Sequence, residues 1–481
     1  MSIDYTKYET VIGLEIHVQL NTLSKAYCSD STKYGSAPNT HVSPISLGHP
    51  GTLPVSNAKV LESAVKLGIA LKCDIRERNE YARKNYFYAD LPKGYQITQD
   101  KTPICDGGFI YVTDKEGNPK RIDLTRIHME EDAGKSIHDI DPFDSLIDLN
   151  RAGVALLEIV TEPVLRSGEE AYSFVTEIRK LVRYLDVCDG NMDEGSMRCD
   201  ANISVRLKGE TDLRNRVEVK NMNSIRNVQK AIELEEKRQI EVYENNGEVD
   251  QETRNFNAAK NETSVLRSKE DAHDYRYFPE PDLLPVVISD REMQDIKDSF
   301  PELPNEKEIR FESEFGLSAY DSKILASSKS MADFFEASAK ELKNYPLLAN
   351  WLIGEISAFL NKDVIEINES KLTPENLAML INRIDDQTIS GKIAKSIFEE
   401  MCSSGKTPDE IIDSQGLQQI SDDGEIEKII NAVIEDNPTQ VEGYKNGKDK
   451  LFGFFVGQVM KETQGKANPQ VVNELLKKKL T

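Results

Sequence analysis

The sequence predicts an α+β fold, in which a mostly antiparallel sheet is followed by an all-helical region and a small helical tail. Three observations lead to this prediction. Apolar and polar residues alternate in several early segments, helical patterns dominate beyond about residue 290, and the charge reverses sign near residue 443. At 481 residues the chain is too long for a single hydrophobic core. We therefore expect three domains, spanning 1–292, 293–406 and 407–481.

The clearest alternation lies in the segment 10–20, where every second residue from Ile12 to Leu20 is apolar. A period of two over this length predicts a strand with one buried face. Two further segments repeat the pattern, 197–206 and 216–220. Helices are expected between the strands, over 58–71, 169–185 and 225–245. Runs of strands with helices between them favour an antiparallel α+β domain over a doubly wound sheet.

The later part of the chain is helical by pattern. The tripeptide Thr373-Pro374-Glu375 is typical of a helix start, because proline suits the first helical position. Isoleucine and valine recur at helical spacing over 426–433, which indicates an amphipathic helix in the tail. The glycine-containing segment 445–450 predicts a turn before one more helix.

The charge distribution limits where nucleic acid can bind. The chain has 60 Lys and Arg against 83 Asp and Glu, a net charge of −23. Phosphate binding therefore needs a locally basic face rather than a bulk field. Residues 443–481 carry eight lysines and three acidic residues, whereas 405–442 carry two lysines and ten acidic residues. Any contact with RNA is expected in this tail, although Lys477–Lys479 alone is equally typical of a solvated helix end.

Several protein classes are excluded. No apolar run approaches the ~18 residues of a membrane span, and the first residues carry no signal-peptide pattern. Six scattered cysteines suit a reduced cytosolic protein. The chain has no GK[ST] phosphate loop, no GxGxxG after a strand and no GxSxG elbow, and no cysteine is paired with a base. We expect a cytoplasmic protein that does not hydrolyse glutamine by itself.

The polar faces of the predicted strands carry candidate site residues in pairs: Glu15 with His17, Arg198 with Asp200, and Glu218 with Lys220. Two residues apart on a strand, Glu15 and His17 point the same way and lie roughly 6.5–7 Å apart, close enough to share one metal ion or phosphate. A single pair of this kind is more typical of a surface salt bridge.

The segment 126–136, RIHMEEDAGKS, strengthens the case for a site because it gathers six further polar side chains: Arg126, His128, Glu130, Glu131, Asp132 and Lys135. Carboxylates with few imidazoles favour Mg²⁺ over Zn²⁺. Cations suited to phosphate oxygens are interleaved with the acids: Arg83, Lys84, Arg198 and Lys220. Metal-binding acids and phosphate-binding cations on one sheet predict ATP-dependent phosphoryl transfer.

Nine motifs, spread along nearly the whole chain, resemble in their order those of one protein family. In the first part they are GLEIHVQL (13–20), KNYFYADLPKGYQITQ (84–99), RIHMEEDAGKS (126–136), DLNRAGVALLEIVTEP (148–163), DEGSMRCDANISVR (193–206), EVKNMNS (218–224) and DYRYFPEPDLLP (274–285). Later motifs are ISGKIAKSIFEEM (389–401) and GFFVGQVMKETQGKANP (453–469). Together they resemble the B subunit of the tRNA-dependent aspartyl/glutamyl amidotransferases.

The resemblance implies a three-subunit enzyme that converts Glu-tRNA(Gln) or Asp-tRNA(Asn) to the amide. In the family, the amidase (A) subunit releases ammonia from glutamine and the small (C) subunit joins the other two. The B subunit uses ATP and Mg²⁺ to activate the tRNA-borne carboxylate as an acyl phosphate, which ammonia then attacks (EC 6.3.5.-). The first domain would be a cradle with a sheet similar to that of glutamine synthetase, and the tail would contact tRNA.

The resemblance also implies roles for individual residues. Metal ligands are expected at Glu15, His17 and either Glu130 or Glu131, since adjacent glutamates face opposite ways on a regular strand. Further roles are expected at five positions: Lys84 for the substrate or phosphate anion, Arg198 and Lys220 behind it for the nucleotide, and Asp200 and Glu218 for a second ion or for ammonia.

One departure from the family concerns zinc. Many members carry a CxC and a CxxC motif that bind zinc, but this chain has Cys28-Ser29-Asp30 and Ser43-Pro44-Ile45-Ser46 at the matching positions. One thiolate cannot build a tetrahedral cysteine site, so we expect no structural zinc. Two alternative functions of the chain stay open: a tRNA-binding scaffold with a degenerate kinase site, and a free-standing amide ligase acting on a small amino acid.

Overall fold

The computed structural model describes residues 3–138, 140–267, 274–363, 365–418, 423–463 and 466–480. The chain divides into two compact units, Met1–Leu303 and Pro304–Thr481. Among the described residues, no helix combines the length and the apolar character needed to cross a bilayer. The three-domain division expected from the sequence stays a prediction.

In the described part of the first unit, strands are combined with four α-helices that lie between and after them. The strands are β1 Tyr8–Gln19, β2 Asp74–Ile75, β3 Arg78–Asn79, β4 Ala82–Asn85, β5 Tyr95–Thr98, β6 Cys105–Asp106, β7 Phe109–Thr113, β8 Pro119–Glu131, β9 Lys135–Ile137, β10 Leu146–Asp148, β11 Ala155–Thr161, β12 Met197–Leu207, β13 Val217–Lys220, β14 Glu252–Asn257, β15 Glu262–Arg267, β16 Phe278–Pro279 and β17 Val286–Val287. The helices are α1 Ala58–Ala70, α2 Gly168–Tyr184, α3 Ile225–Glu244 and α4 Asp290–Asp298.

One large sheet dominates this unit. Its strands run in the order β15-β14-β13-β12-β1-β11-β8-β6-β2, and β7 also pairs with β8. The neighbouring strands in this order are antiparallel except for β13 and β14, which are parallel. The predicted α+β class with a mostly antiparallel sheet is therefore confirmed.

The two faces of the sheet differ in chemistry, as the alternation in the sequence predicts. Residues Ile12, Leu14, Ile16 and Val18 of β1 are all buried, because this face packs against α1, α2 and α3 in one continuous apolar core. The residues between them project to the opposite face, which carries Glu15, His17 and Gln19. The helices cover the apolar face of the sheet and leave the polar face available for a site.

The second unit is helical. Its helices are α5 Pro304–Phe315, α6 Ala319–Ala326, α7 Lys329–Ala339, α8 Tyr345–Trp351, α9 Ser357–Asp363, α10 Pro374–Asp385, α11 Gly391–Ser404, α12 Pro408–Gln415, α13 Asp423–Asp436, α14 Pro438–Lys445, α15 Leu451–Glu462 and α16 Pro469–Leu480. Thr373 caps α10, as the sequence predicts. An apolar cluster over 311–412 is distinct from a smaller one over 426–480.

Candidate functional site

One level of the polar sheet face carries a charged or imidazole side chain on each of four adjacent strands. His17 of β1 lies opposite Arg198 of β12 on one side and opposite Glu158 of β11 on the other. Glu158 in turn lies opposite His128 of β8. Directly paired residues share a face of the sheet, so these side chains form a row across it.

Two more carboxylates complete what we call the acid–imidazole cluster, namely Glu15, His17, His128, Glu130 and Glu158. The Nε2 atom of His17 lies 3.7 Å from a carboxylate oxygen of Glu15 and 3.3 Å from one of Glu158. The Nε2 atom of His128 lies 3.4 Å from Glu158 and 3.6 Å from Glu130. Glu158 therefore links the two halves of the cluster.

The pKa values of the cluster residues reflect their burial and the closeness of several carboxylates. Burial, with Glu158 beside it, raises the pKa of Glu15 to about 7. Burial alone would lower the pKa of His128, but Glu158 and Glu130 overcome this and raise it to about 9. His128 lowers the pKa of Glu158 well below its usual range, against the effect of burial. The carboxylates thus depend on nearby positive charge.

Lys84 of β4 extends the cluster at Glu130. Its Nζ atom lies 3.5 Å from a Glu130 oxygen and 5.3 Å from the centre of the Tyr275 ring. Although burial opposes it, Glu130 and Glu158 raise the pKa of Lys84 above its ordinary value, so this lysine stays charged. The hydroxyl of Thr98 donates to the other oxygen of Glu130 at 2.8 Å, which fixes the carboxylate. Lys84 and Glu130, to which the sequence assigns separate roles, are thus in contact.

The structure does not bring Glu131 into the cluster. This side chain pairs with Lys93 and accepts a hydrogen bond from the backbone N–H of Ile97 at 2.8 Å. Glu130 and Glu131 are consecutive on β8, and consecutive side chains point to opposite faces of a strand. Of Glu130 and Glu131, only Glu130 belongs to the acid–imidazole cluster, where it lies beside His128.

The remaining sequence-predicted residues form two groups beside the cluster. Lys220 pairs with Asp200 and lies 3.0 Å from Glu218. Asp200 lies opposite Glu15 in the register of β1 and β12. Arg198 donates to the buried Asp132 at 2.9 Å, and this contact, together with Asp200, raises the pKa of Arg198.

A cavity of about 630 Å³ opens on the Arg198 side of the cluster. We call it the Arg198 cavity; its lining includes Gln19, Lys33, Lys135, Arg151, Arg198 and Asp200. The volume lies within the roughly 300–1,000 Å³ of small-molecule sites. The lining carries four cationic side chains and four acidic ones, the latter being Asp148, Asp193, Glu194 and Asp200. The cations can contact phosphate oxygens, and the acids balance their charge.

The residues present fit a divalent cation. Ligand atoms of Glu15, His17 and Glu158 all lie within 4.8 Å of one another, as do those of His128, Glu130 and Glu158. Carboxylate oxygens dominate both groups, and this composition suits Mg²⁺. Burial and the neighbouring Glu158 raise the pKa of Glu15, and a bound cation would favour the charged form of this carboxyl.

Two members of the cluster, His128 and Glu158, escaped the sequence-based assignment of roles. Glu158 stands in the run Ala155–Thr161, which is otherwise apolar or uncharged, and six of its seven residues are buried. A lone acid in such a run is costly unless it is paired, and this was the signal that could have identified it. The register that places His128 against Glu158 is not visible in the sequence.

The two loops at the positions compared with zinc motifs, 28–30 and 43–46, are joined by a hydrogen bond between two oxygen atoms. The hydroxyl of Ser46 donates to Asp30 at 2.5 Å and accepts the backbone N–H of Ser43 at 2.9 Å. Burial opposes it, but the hydroxyls of Ser46 and Ser43 lower the pKa of Asp30. The expected absence of zinc stays a prediction.

Comparison with known proteins identifies the family. A model described as the GatB/GatE catalytic domain matches residues 10–294, and one described as the GatB domain matches 333–480. Relatives named as the B subunit of aspartyl/glutamyl-tRNA(Asn/Gln) amidotransferase from Thermoanaerobacter pseudethanolicus, Rickettsia rickettsii and Syntrophotalea carbinolica are 52%, 53% and 51% identical to the chain. Each alignment covers 99% of this chain, and 100%, 98% and 99% of the respective relatives. The chain therefore belongs to the B-subunit family of the aspartyl/glutamyl-tRNA(Asn/Gln) amidotransferases.

Proposed function

We propose that this protein uses ATP to activate the side-chain carboxylate of glutamate or aspartate carried on tRNA(Gln) or tRNA(Asn), and then converts it to the amide. The observation that carries the proposal is that Glu158 joins two groups of potential metal ligands, one with Glu15 and His17 and one with Glu130, which lies beside Lys84. The names of the relatives supply the substrate class. The activity is that of a ligase forming a carbon–nitrogen bond, with glutamine as amide donor (EC 6.3.5.-).

Glu15, His17 and Glu158 are the proposed ligands of one Mg²⁺, and Glu130 and His128 form with the shared Glu158 a second potential site. When bound, Mg²⁺ would neutralise charge on the transferring phosphate. Lys84 stays protonated in its aromatic and acidic surroundings, so it can orient the incoming carboxylate or the developing phosphate. The Arg198 cavity is the proposed place of ATP, with Arg198 on its wall and Lys220 held next to it by Asp200, which also lines the cavity.

The proposed reaction has two steps. A carboxylate oxygen of the tRNA-borne amino acid attacks the terminal phosphorus of ATP, and ADP leaves with the electron pair of the broken P–O bond. Ammonia then attacks the carbonyl carbon of the acyl phosphate, inorganic phosphate leaves, and a proton is lost from nitrogen. Phosphorylation is needed because a free carboxylate is a poor acyl donor. Asp200 and Glu218, held by Lys220, remain candidates for a second ion or for guiding ammonia.

The chain needs partners for this reaction. We propose that ammonia comes from the amidase (A) subunit, that the small (C) subunit joins the amidase to this chain, and that the complex works in the cytoplasm, where tRNA and ATP are found. Residues 407–481 are the proposed tRNA-binding tail, because lysines outnumber acids from residue 443 onward.

The test is transfer of the labelled terminal phosphate of ATP to Glu-tRNA(Gln) by the complete complex. Glu15→Gln and His17→Ala are each expected to reduce transfer about 100-fold or more, while glutamine hydrolysis by the amidase is retained at least in part. Glu9→Gln is the matched control on the same strand, since Glu9 pairs with Arg206 away from the cluster. Equal loss of both activities in a folded complex would contradict a local role.

Two results would favour the alternative functions. If the unmodified complex transfers no phosphate to the acylated tRNA, the chain is better described as a tRNA-docking scaffold. If it amidates free glutamate without tRNA, it is better described as a free-standing amide ligase.

A further inference from the structure

A second cavity, of about 410 Å³, opens on the same sheet face at the other end of the cluster. We call it the Gly13 cavity; its lining includes Gly13, Glu15, Val160, Pro163, Asn202 and Leu213. Gln19 lines the Arg198 cavity, whereas Gly13 lines this one, and both residues lie on β1. The acid–imidazole cluster thus stands between two cavities that open along the same strand.

Gly13 itself has no structural explanation within the protein. The pairing of β1 with β12 is regular through this residue, with no bulge, and Gly13 does not have a positive φ. A Cβ atom added there would meet nothing nearer than 3.9 Å, at Pro163 Cα and Thr161 O. Glycine inside a strand is unfavourable, and it often marks the close approach of a ligand. The missing side chain leaves room in the cavity rather than in the core.

The walls of the Gly13 cavity combine apolar surface, amides and cations. Val160, Pro163 and Leu213 supply apolar contact, while Asn202 supplies an amide that can read the edge of a base. Arg216 lies at the exposed rim, and its guanidinium forms no ion pair with any residue in the described ranges. Apolar faces, amides and a free guanidinium are the groups that bind an unstacked nucleobase and its phosphate.

We propose that the Gly13 cavity binds the 3′-terminal adenosine of the acylated tRNA. This assignment rests on the proposed function, and it names where the acceptor end of the substrate lies. The amino acid esterified to that adenosine would extend past Glu15, which lines the cavity, into the cluster. ATP is assigned to the other side, because the larger cavity has more room for a nucleotide and places Arg198 and Lys135 among its lining side chains, beside acids that balance their charge. Donor and acceptor then approach the cluster from opposite ends of β1.

The test measures binding without ATP, so it does not depend on phosphoryl transfer. The complete complex is titrated with tRNA(Gln) transcripts that either keep or lack the terminal adenosine, and ATP affinity is measured separately. Because one more base can stack in the cavity, the unmodified complex is expected to bind the complete transcript on the order of tenfold more tightly than the transcript without the terminal adenosine. Gly13→Val, which fills the cavity, is expected to reduce this preference to about twofold or less and leave ATP affinity unchanged.

Two further variants serve as a matched control and as an independent test. Gly354→Val is the matched control, because Gly354 is exposed and a Cβ there also meets no atom within 4 Å. If Gly13→Val assembles poorly, Arg216→Gln provides a second test, because it changes an exposed rim residue and should not affect folding. It too is expected to reduce the preference for the complete transcript.

Three results would overturn the proposal. A loss of ATP affinity in Gly13→Val would assign the cavity to the nucleotide and overturn the proposal. An unchanged preference in both variants, or no preference in the unmodified complex, would also overturn it. Phosphoryl transfer that persists in any of these cases would leave the proposed function intact.

Discussion

Glu130 and Glu131 follow one another on β8, and each is bound by one of two consecutive residues of β5. The hydroxyl of Thr98 donates to Glu130 at 2.8 Å, and the backbone N–H of Ile97 donates to Glu131 at 2.8 Å. Glu130 faces the acid–imidazole cluster, whereas Glu131 faces Lys93 on the other side of the sheet. The same dipeptide thus supplies one proposed metal ligand and one buried structural ion pair.

The two glutamates are expected to respond differently to neutralisation. Glu131→Gln leaves Lys93, whose side chain is only 12% exposed, without its partner. Breaking a buried pair costs about 3–5 kcal/mol, so the free energy of unfolding in urea is expected to fall by that order. Mg²⁺ affinity of the folded variant should stay unchanged. A variant as stable as the unmodified chain would contradict the structural role of this pair.

Glu158→Gln tests the residue that the sequence did not assign. Because Glu158 links both halves of the cluster, its neutralisation is expected to weaken Mg²⁺ binding by at least about tenfold. Calorimetric titration of the chain with Mg²⁺, without ATP, measures this. Glu162→Gln is the control, since Glu162 is hydrogen-bonded to Thr125 and lies outside both metal-capable groups. Equal affinities for both variants would remove Glu158 from the ligand set.

The sequence predicted the polar face but not the whole cluster, and the reason is physical. Alternation in β1 and β12 has a period of two, so it assigns Glu15, His17 and Arg198 to one face of the sheet without further information. The central strand β11 is buried on both faces, so its pattern carries no alternation and hides Glu158. Which strands are neighbours depends on long-range pairing, and that pairing alone brings His128 to Glu158.

Zinc content provides a test of the loops over 28–30 and 43–46. Elemental analysis of the purified chain is expected to find far less than one zinc per molecule, because a single cysteine is present among these positions. About one zinc per chain would contradict this.

The Ser46–Asp30 hydrogen bond is expected to replace part of the stability that a metal would provide. Ser46→Ala should lower the free energy of unfolding by about 1 kcal/mol at pH 7, because the Asp30 carboxylate is only partly buried and solvent weakens the hydrogen bond. The folded protein lowers the pKa of Asp30, so this contribution is present above its unfolded pKa and is lost as pH falls through the folded value. The difference between variant and parent in urea titrations should therefore shrink with acidification. A pH-independent difference would exclude Asp30 as its source.

The basic tail is expected to bind phosphates, and salt dependence tests this without deleting its core. The apolar residues Phe455, Val459 and Leu476 are buried in the tail, so truncation at residue 443 would remove packing together with charge. Replacing Lys477 and Lys478 by glutamine changes charge at two exposed positions. For each phosphate that the tail no longer neutralises, the slope of log K against log salt is expected to fall by about 0.7–0.9. The same change at the exposed Lys115 and Lys260 of the first unit is the control, and it should leave the slope unaltered. Slopes that match in both double variants would show that RNA is bound elsewhere.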